Sequence, residues 1–435
     1  MSLAINTTQL SHRYLTQIKA DLEIMIPVQT MSKTPMMKPL ICYTLTENDM
    51  VYLPFSYAIH SVEMLRPPRD VFPQSDLVFS AELREEQIEV KDEALDALNK
   101  TGHIMIASYT GFGKSILGAY LGAKTRLKTL LLVPNKTVLI PQWVDTFNKF
   151  CKNSRVQVLT SKDEHLDKDC NVYIMNALNA GKKKPDFFKD IGTVIVDESH
   201  LIAAEMLIKS MHNVCPRYLI GLSATPYRND GLDVLIKLHF GSNVIERKMN
   251  RQHVAYLVQT KFKPTADVDV RGKIIWSSVI NAQSDNRRRN ELIANIAHFF
   301  SSRVFLILVK RVEQAKEIGE LLRQKSEHVA VILGKDKSFD REARILIGTQ
   351  QKCGIGFDHP NLDAMILGND CEDYFIQSLG RIFRKKDTIP IVFDLVDNHP
   401  ILIRHWKTRK QVYLEHGGSV KDFNITFPQL TMDLS

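Results

Sequence analysis

The sequence predicts an α/β protein with two doubly wound parallel sheets in tandem, preceded by a small N-terminal accessory domain. Short runs rich in Val, Ile and Leu alternate with helix-like stretches, first from about residue 80 and again from about residue 303. Continuous apolar runs separated by helices are typical of parallel strands that are buried on both faces. In addition, a glycine-rich turn follows the first strand of the first series, as in phosphate-binding sites.

The first series predicts a lobe at residues 80–245. It opens with a helix, which is followed by the strand HIMIAS, the glycine turn and the helix SILGAYLGAK. The further predicted strands are TLLLVPN, VQVL, NVYIMN, TVIVDE and YLIGLSA, and the amphipathic helix VLIPQWVDTFNKF follows the first of these. This order is typical of the strand–helix–strand units that build a parallel sheet.

The second series predicts another lobe at residues 301–435. Its strands are RVFLILV, HVAVILG, ARILIGT, LDAMILG and PIVFDLV, and its helices are VEQAKEIGELLRQ and FIQSLGRIFR. The more polar residues 246–300 are predicted to connect the two lobes. Residues 1–79 are predicted to form the accessory domain, in which ICYTLTENDMVYLPFSYAI alternates like a β-hairpin.

Composition narrows the class of protein. The 435 residues have a net charge of +8 and a pI of about 9.0, a basic surplus that is compatible with a polyanionic partner. The six cysteines are scattered without a CxxC pair, which argues against a zinc ribbon and indicates a reducing compartment. There is no apolar run of membrane-spanning length and no signal-peptide pattern. We therefore expect a cytoplasmic or nuclear protein with no membrane partner.

The glycine turn SYTGFGKS, residues 108–115, predicts a site for a phosphate chain. Gly111 and Gly113 allow backbone N–H groups to approach the phosphates closely, and the helix that begins here adds a partial positive charge. Lys114 supplies a full charge to the β- and γ-phosphates, and the Ser115 hydroxyl is suited to bind Mg²⁺.

Two acids follow the buried strand at residues 193–196. We expect Asp197 and Glu198 to lie beside the glycine turn, because parallel strands end at the same edge of their sheet. Asp197 is suited to hold Mg²⁺ through water, and Glu198 to orient or deprotonate the attacking water. Together with the glycine turn, these acids predict hydrolysis of a nucleoside triphosphate.

A series of motifs resembles those of superfamily 2 helicases. They are, in order, LREEQ at 83–87, the P-loop, LLLVPNK at 130–136 with Gln142 and Trp143 (motif Ia), the DExH-like box DESH at 197–200, GLSATP at 221–226 (motif III), the motif V elements between 348 and 358, and QSLGRIFR at 377–384 (motif VI). They occur in the order of the family over residues 83–400, about three quarters of the chain.

The resemblance implies two RecA-like lobes, ATP and Mg²⁺ as cofactors, and a nucleic-acid partner. The catalytic residues that it implies are Lys114, Asp197, Glu198, His200, Gln377, Arg381 and Arg384. The implied nucleotide-binding residues are Gln87 (which reads adenine), Thr110, Gly111, Phe112, Gly113, Lys114, Ser115, Gly356 and Asp358, with Ser115 and Asp197 as metal ligands. Nucleic acid is expected at Pro134, Asn135, Lys310 and Thr349, and coupling is expected through Ser223, Thr225, Arg228 and Asp230.

Two basic features are open to both a functional and a structural interpretation. Arg381 and Arg384 are three residues apart on a predicted helix and share a face, and a planar guanidinium suits a γ-phosphate. The runs at 182–184 and 287–289 are candidate nucleic-acid contacts, although most charge runs are solvated faces.

The run YRNDG at 227–231, followed by Phe240 and Gly241, resembles XPB-like helicases, phage branch-migration helicases and ATPases of large DNA viruses. It favours DNA as the substrate and proteins of replication, repair or transcription as partners, in a viral or phage protein that acts inside the host cell. The chain departs from that pattern at Asn229, where an acid is expected, and at Cys353, where Glu is common.

Three alternatives to a DNA helicase remain open from the sequence. A double-strand translocase or a transcript-release ATPase would use the same motor without separating strands. An RNA helicase would share the chemistry of both lobes. A binding module with an inactive ATPase would have lost Lys114, Glu198 or Arg384, and all three are present.

Overall fold

The structure is a computed structural model, and its residues form two compact units. The first unit is Met1–Ser108 with Phe112–Arg247, and the second is Tyr109–Gly111 with Lys248–Ser435. The description covers the whole chain except residues 29–35, 110, 135–138, 200–211, 225–232, 334–338, 351–358, 360, 372–374, 384, 386 and 425–435, and except the side chains of 27, 28, 36, 376 and 377. Every helix within the described ranges is too short or too polar to span a bilayer.

The N-terminal region is rich in strands. Its elements are β1 (Ser2–Asn6), α1 (His12–Leu22), β2 (Glu23–Val28), β3 (Met36–Ile41), β4 (Thr44–Leu45), β5 (Met50–Pro54), α2 (Phe55–Ser61) and β6 (Val78–Phe79). Strands β4 and β5 form the predicted hairpin, with Thr44 opposite Tyr52, and β1 pairs with the other side of β5. The end of the predicted hairpin, FSYAI, forms α2 instead of continuing the strand.

A parallel sheet of seven strands organises the rest of the first unit. Its order is β10-β11-β8-β12-β13-β7-β14, and every pairing is parallel. The elements are α3 (Glu85–Lys100), β7 (His103–Ser108), α4 (Lys114–Thr125), β8 (Thr129–Val133), α5 (Leu139–Phe150), β9 (Cys151–Lys152), β10 (Val156–Leu159), β11 (Val172–Asn176), α6 (Ala177–Ala180), β12 (Thr193–Val196), β13 (Tyr218–Ser223), α7 (Asp233–Phe240) and β14 (Val244–Arg247). The central strands β7, β8, β12 and β13 are buried throughout.

The second unit repeats the architecture. Its seven strands have the order β17-β18-β16-β19-β20-β15-β21, again with parallel pairings throughout. The elements are β15 (His253–Gln259), α8 (Trp276–Asp285), α9 (Arg287–Phe299), β16 (Phe305–Val309), α10 (Val312–Arg323), β17 (Val329–Ile332), β18 (Ile345–Thr349), β19 (Ala364–Leu367), α11 (Phe375–Arg381), β20 (Ile391–Val396), α12 (Pro400–Glu415) and β21 (Gly418–Asp422). The predicted α/β class with two doubly wound parallel sheets is therefore confirmed.

Two segments differ from their predicted roles. Residues 246–300, predicted as a connector, include β15, which lies between β20 and β21 in the second sheet, and α9, whose Ile293 packs in the second core. Residues 1–79, predicted as a separate domain, share one hydrophobic core with the first sheet, since Leu53 and Phe55 cluster with Leu219. Each segment packs its apolar side chains into the core of a larger unit and does not form a separate hydrophobic core.

The arginine run at 287–289 is one reason why residues 246–300 have the polar sequence that predicted a connector. Arg289 is fully buried, and its Nε donates to both carboxylate oxygens of Asp397 at 2.9 and 3.1 Å, while its Nη1 donates to the Gly368 carbonyl. Arg287 is exposed and pairs with Glu291 one turn further along α9. The interpretation of this run as a nucleic-acid contact is therefore wrong for Arg289, which is a structural residue.

Replacing these two arginines should have very different effects on folding. Arg289→Ala leaves the Asp397 carboxylate buried without its cation, which we expect to lower the free energy of unfolding by about 3–5 kcal/mol. Arg287→Ala removes an exposed pair on the same helix and should cost less than about 0.5 kcal/mol. Denaturant unfolding of both variants measures the difference. Equal stability of the two variants would contradict the assignment of Arg289 to the core.

Candidate nucleotide site and nucleic-acid face

The turn between β7 and α4 forms a cradle that only glycine fits. Gly111 and Gly113 have φ values of 94° and 90°, in the left-handed region, and Gly113 caps the N-terminus of α4. A Cβ on Gly113 would lie 2.4 Å from Nε2 of Gln87. The backbone can therefore take the tight turn that the P-loop interpretation requires.

Gln87 supports this turn from the first turn of α3. Its side chain is buried, and Nε2 donates to the carbonyls of Phe112 at 2.9 Å and Gly113 at 3.4 Å. Its Oε1 accepts from the backbone N–H of Arg84 at 2.9 Å, and the Arg84 guanidinium also donates to the Phe112 carbonyl. The residue predicted to read adenine thus binds the backbone of the phosphate turn in this structure, and adenine recognition stays a prediction.

Lys114 and Ser115 begin α4 at the mouth of the turn. The Lys114 ammonium donates to the Ser108 carbonyl at 2.6 Å, so its charge stays over the turn. Ser115 is half-buried in the first turn of α4, as expected for a hydroxyl that meets a cation beside the phosphates. Thr110, also predicted to bind nucleotide, lies outside the described residues.

Asp197 and Glu198 follow β12, which lies between β8 and β13 in the sheet. Asp197 is buried, and its Oδ2 accepts from Nε1 of Trp143 at 2.8 Å while its Oδ1 accepts from the backbone N–H of Glu198 at 3.0 Å. Glu198 has a φ of 47°, in the left-handed region that a non-glycine residue seldom adopts. A backbone conformation of this kind costs about 1–3 kcal/mol and is typical of functional sites.

The electrostatics of Asp197 suit a cation. Burial is the largest cause that raises the pKa of this carboxyl, followed by the nearby Glu198 carboxylate. The Trp143 hydrogen bond and the Lys114 charge lower it, and the net pKa is about 6. Two adjacent carboxylates, one of them buried, favour a bound positive charge, because a divalent ion stabilises both in their ionised form. Asp197 therefore has the chemistry of an Mg²⁺ ligand, and its role together with Ser115 stays a prediction.

Ser199 connects this site to β13. The Ser199 hydroxyl, next to the acids, donates to the Leu222 carbonyl at 3.2 Å. Ser223 ends β13 and is fully buried. The Ser199 hydrogen bond therefore joins the segment with the two acids to the strand that leads into motif III. His200, Thr225, Arg228 and Asp230 lie outside the described residues, so the catalytic role of His200 and the coupling role of the others stay predictions.

In the second unit, α11 carries part of the predicted arginine motif. The helix ends at Arg381, which is 4% exposed. The prediction that Arg381 and Arg384 share a helical face is not tested, since Arg384 lies outside the described residues, as does the side chain of Gln377. Gly356 and Asp358 of motif V lie outside them as well.

A buried ionic network joins α12 to β20 and to Asp370, which follows β19. Arg409 binds both carboxylate oxygens of Asp394 at 2.8 Å and donates to Asp370 at 2.8 Å, and the Tyr413 hydroxyl donates to Asp394 at 3.0 Å. Nδ1 of His405 lies 2.7 Å from the other oxygen of Asp370. Asp370 precedes the first residue of α11, Phe375, by five positions.

The residues predicted to contact nucleic acid lie at the carboxyl ends of strands. Thr349 ends β18 and pairs with Val309, so Lys310 lies next to it at the same edge of the second sheet. The backbone N–H of Lys310 donates to Asn369 at 2.8 Å. In the first unit, Pro134 follows β8 and its carbonyl accepts from the Asn176 amide at 2.9 Å, while Asn135 lies outside the described residues.

Four residues of this site have a role that the sequence did not reveal. Trp143 and Arg84 occur inside recognised motifs. Nothing in the spacing of those motifs shows that Trp143 binds Asp197 or that Arg84 binds the phosphate turn. Asp370 and Arg409 belong to no motif. A buried Arg between two acids on neighbouring elements is visible only once the strands are paired, because the partners are distant in sequence.

The fold and the relatives of the chain are those of a helicase-type ATP-hydrolysing enzyme. The profile of the family described as "Type III restriction enzyme, res subunit" matches residues 80–228, which span the phosphate turn and both acids. With its two RecA-like units and its relatives, the chain belongs to the superfamily 2 helicases. It is 39% identical to "Putative helicase 161L" of Invertebrate iridescent virus 6, over 98% of this chain and 100% of that protein.

Two further comparisons agree. The chain is 31% identical to "Putative helicase 055L" of Frog virus 3, over 87% of this chain and 88% of that protein. Among solved structures, Dbp5 of S. cerevisiae, bound to RNA and ADP BeF3, matches 77% of this chain and 89% of its own with a TM-score of 0.54. At 13% identity, the last likeness shows the fold alone.

The glycine cradle gives a direct test of the nucleotide site. Gly113→Ala places a Cβ against Gln87 and strains the backbone, so ATP affinity should fall about tenfold or more. Gly272→Ala is the control, because Gly272 has a φ of 74° but no atom within 4 Å of its Cβ position. Equilibrium ATP titration of both variants, with thermal unfolding to confirm the fold, measures the effect. Normal ATP binding by Gly113→Ala would mean that phosphates do not approach this turn.

Proposed function

We propose that this superfamily 2 protein is an ATP-dependent DNA helicase or translocase. The observation that carries the proposal is the placement of the glycine cradle and of two acids at the carboxyl ends of β7 and β12, with only β13 between these strands. This arrangement supports a phosphate site beside a pair of carboxylates at one edge of a single sheet. The second sheet carries the helix with Arg381 and the strand ends with Lys310 and Thr349.

We assign each residue a role in hydrolysis. The glycine cradle and Lys114 bind the phosphates, and Ser115 and Asp197 would hold Mg²⁺, which when bound neutralises charge on the β- and γ-phosphates. Glu198 orients the attacking water and accepts its proton, as its position next to Asp197 allows. Arg381, with Arg384, supplies guanidinium groups that stabilise the charge on the γ-phosphate in the transition state.

DNA is the proposed substrate because of the run GLSATPYRNDG at 221–231, which resembles the corresponding run of XPB-like helicases. The predicted contacts are to the phosphate backbone, through strand-end residues and Lys310, so we expect little preference for base sequence. Proteins of replication, repair or transcription are the proposed partners, inside the host cell of a virus or phage.

The substrate is tested by ATPase rates with single-stranded DNA, blunt duplex, forked DNA and RNA of equal length. We expect DNA to stimulate turnover more than RNA, since the motor is proposed to track DNA. Stimulation by forked DNA above duplex would indicate strand separation, and equal stimulation would indicate double-strand translocation. The Lys114→Ala variant is the control and should be inactive with every substrate. An ATPase rate that rises with RNA but not with DNA would contradict the proposal that DNA is the substrate.

Glu198→Gln should separate binding from chemistry. The neutral amide keeps the size of the side chain but cannot accept a proton, so ATP binding should be retained while turnover falls about 100- to 10,000-fold. Glu164→Gln, at an exposed glutamate of the same unit, is the matched control and should behave as the wild type does. The measurement is the DNA-stimulated ATPase rate alongside ATP affinity. Turnover within a few-fold of the wild type would exclude Glu198 as the base.

A further inference from the structure

A groove of about 540 Å³ lies at the carboxyl edge of the second sheet, apart from the predicted strand-end contacts. It runs between the ends of β15 and β20 on one side and α12 on the other. The residues that matter for its chemistry are Gln259, Lys261, Asn398, Trp406, Lys407 and Lys410. Lys407 and Lys410, with Ile403 and Trp406, recur at helical spacing and so lie on one face of α12.

This groove, called the basic groove below, has an uncompensated positive charge. Lys261, Lys407 and Lys410 are exposed, and within the described part of the chain none of them pairs with a carboxylate. Asp397 lines the groove, but its carboxylate faces inward, where it accepts from Arg289, Gln283 and Thr260. Three ammonium groups therefore face solvent over a floor with no free acid.

The charge of the whole chain is concentrated in the unit that carries this groove. Residues 248–435 contain 29 Lys+Arg and 22 Asp+Glu, so the second unit accounts for +7 of the net +8. A surplus on one unit, with three unpaired lysines in one groove, is complementary to a polyanion. The lysine ammonium is a point charge that binds phosphate without a fixed geometry. This suits a protein that moves along the phosphate backbone of its substrate.

The lining favours backbone contacts over base recognition. Trp406 is only 6% exposed, so its ring does not offer a stacking surface for a base. Gln259 and Asn398 are exposed and add amides that can bind phosphate or sugar oxygens. The groove thus has the chemistry of a phosphate contact.

The location of the basic groove connects it to Lys310 and Thr349. In the order β18-β16-β19-β20-β15, the strand that ends at the groove lies three places from β16, or roughly 14 Å at the usual strand spacing. Because all these strands are parallel, their carboxyl ends share one edge. Duplex DNA carries one charge per about 1.7 Å of its axis, so one duplex places several phosphates along such an edge.

We propose that the basic groove binds the phosphate backbone of the nucleic acid on which the motor acts, as a second contact beyond the strand-end residues. This inference rests on the proposed function. The groove gives the second unit a contact with the substrate that does not depend on base sequence and is separate from the ATP-site residues.

The test replaces the three lysines together. Lys261→Gln/Lys407→Gln/Lys410→Gln should weaken binding of a short blunt DNA duplex and reduce the slope of log affinity against log salt by about 2–3, since each phosphate contact contributes about 0.9. The control, Lys273→Gln/Lys316→Gln/Lys325→Gln, removes the same charge from the same unit outside the groove and should change the slope by less than about 1. Thermal unfolding should be unchanged in both.

Lysine acylation of the wild type, read by mass spectrometry, provides a second measurement. Lys261, Lys407 and Lys410 should be protected by the duplex, whereas Lys273 and Lys316 should not. Equal salt slopes for the two triple variants, or no protection of the three lysines by duplex, would contradict nucleic-acid binding in the basic groove. Duplex-stimulated ATPase activity would remain in that case, so the proposed function would stand. Protection by a polyglutamate peptide but not by duplex would identify an acidic protein partner instead. If the wild type bound no nucleic acid and showed no stimulation, the proposed function itself would fail together with the groove.

Discussion

The structure depends on one constraint, which is that parallel strands buried on both faces can present polar residues only at their ends. In the first unit, β7, β8, β12 and β13 are buried along their whole length, and the residues predicted to bind ATP follow β7 and β12. The same constraint places Lys310, Thr349 and Asp370 at the edge of the second sheet. Buried polar groups such as Arg409 and Asp394 pair with one another, so the groups that can meet a ligand are gathered at the sheet edges.

The central strands could be predicted from sequence because burial on both faces makes them continuously apolar. Strand β12, read as TVIV, agrees with its predicted position, as do β7 and β13. Strands β14, β15 and β21 were missed; of these, β14 and β21 lie at sheet edges and are short and polar. An edge strand is held by backbone pairing, which leaves little trace in the choice of side chains.

The site could be predicted in part for a related reason. Residues that bind a phosphate chain are local in sequence, and Gly113 and Lys114 are recognisable from their spacing alone. The support around them is not local: Gln87 reaches the turn from α3, and Trp143 reaches Asp197 from α5. Such contacts depend on how helices pack on the sheet, which one sequence does not reveal. The roles of the predicted residues in binding and catalysis stay predictions.

The two sides of α12 place opposite demands on mutation. Arg409 grips Asp394 through two parallel bonds and reaches Asp370 as well, so its planar fork cannot be exchanged for lysine without stranding a buried acid. Lys407 and Lys410 lie on the outer side of the same helix and are exposed, so replacing either with arginine keeps its charge and strands no buried partner. Tolerance to substitution on this helix is therefore expected to be one-sided: geometry restricts the inner face, whereas the proposed role of the outer face requires only the sign of its charge.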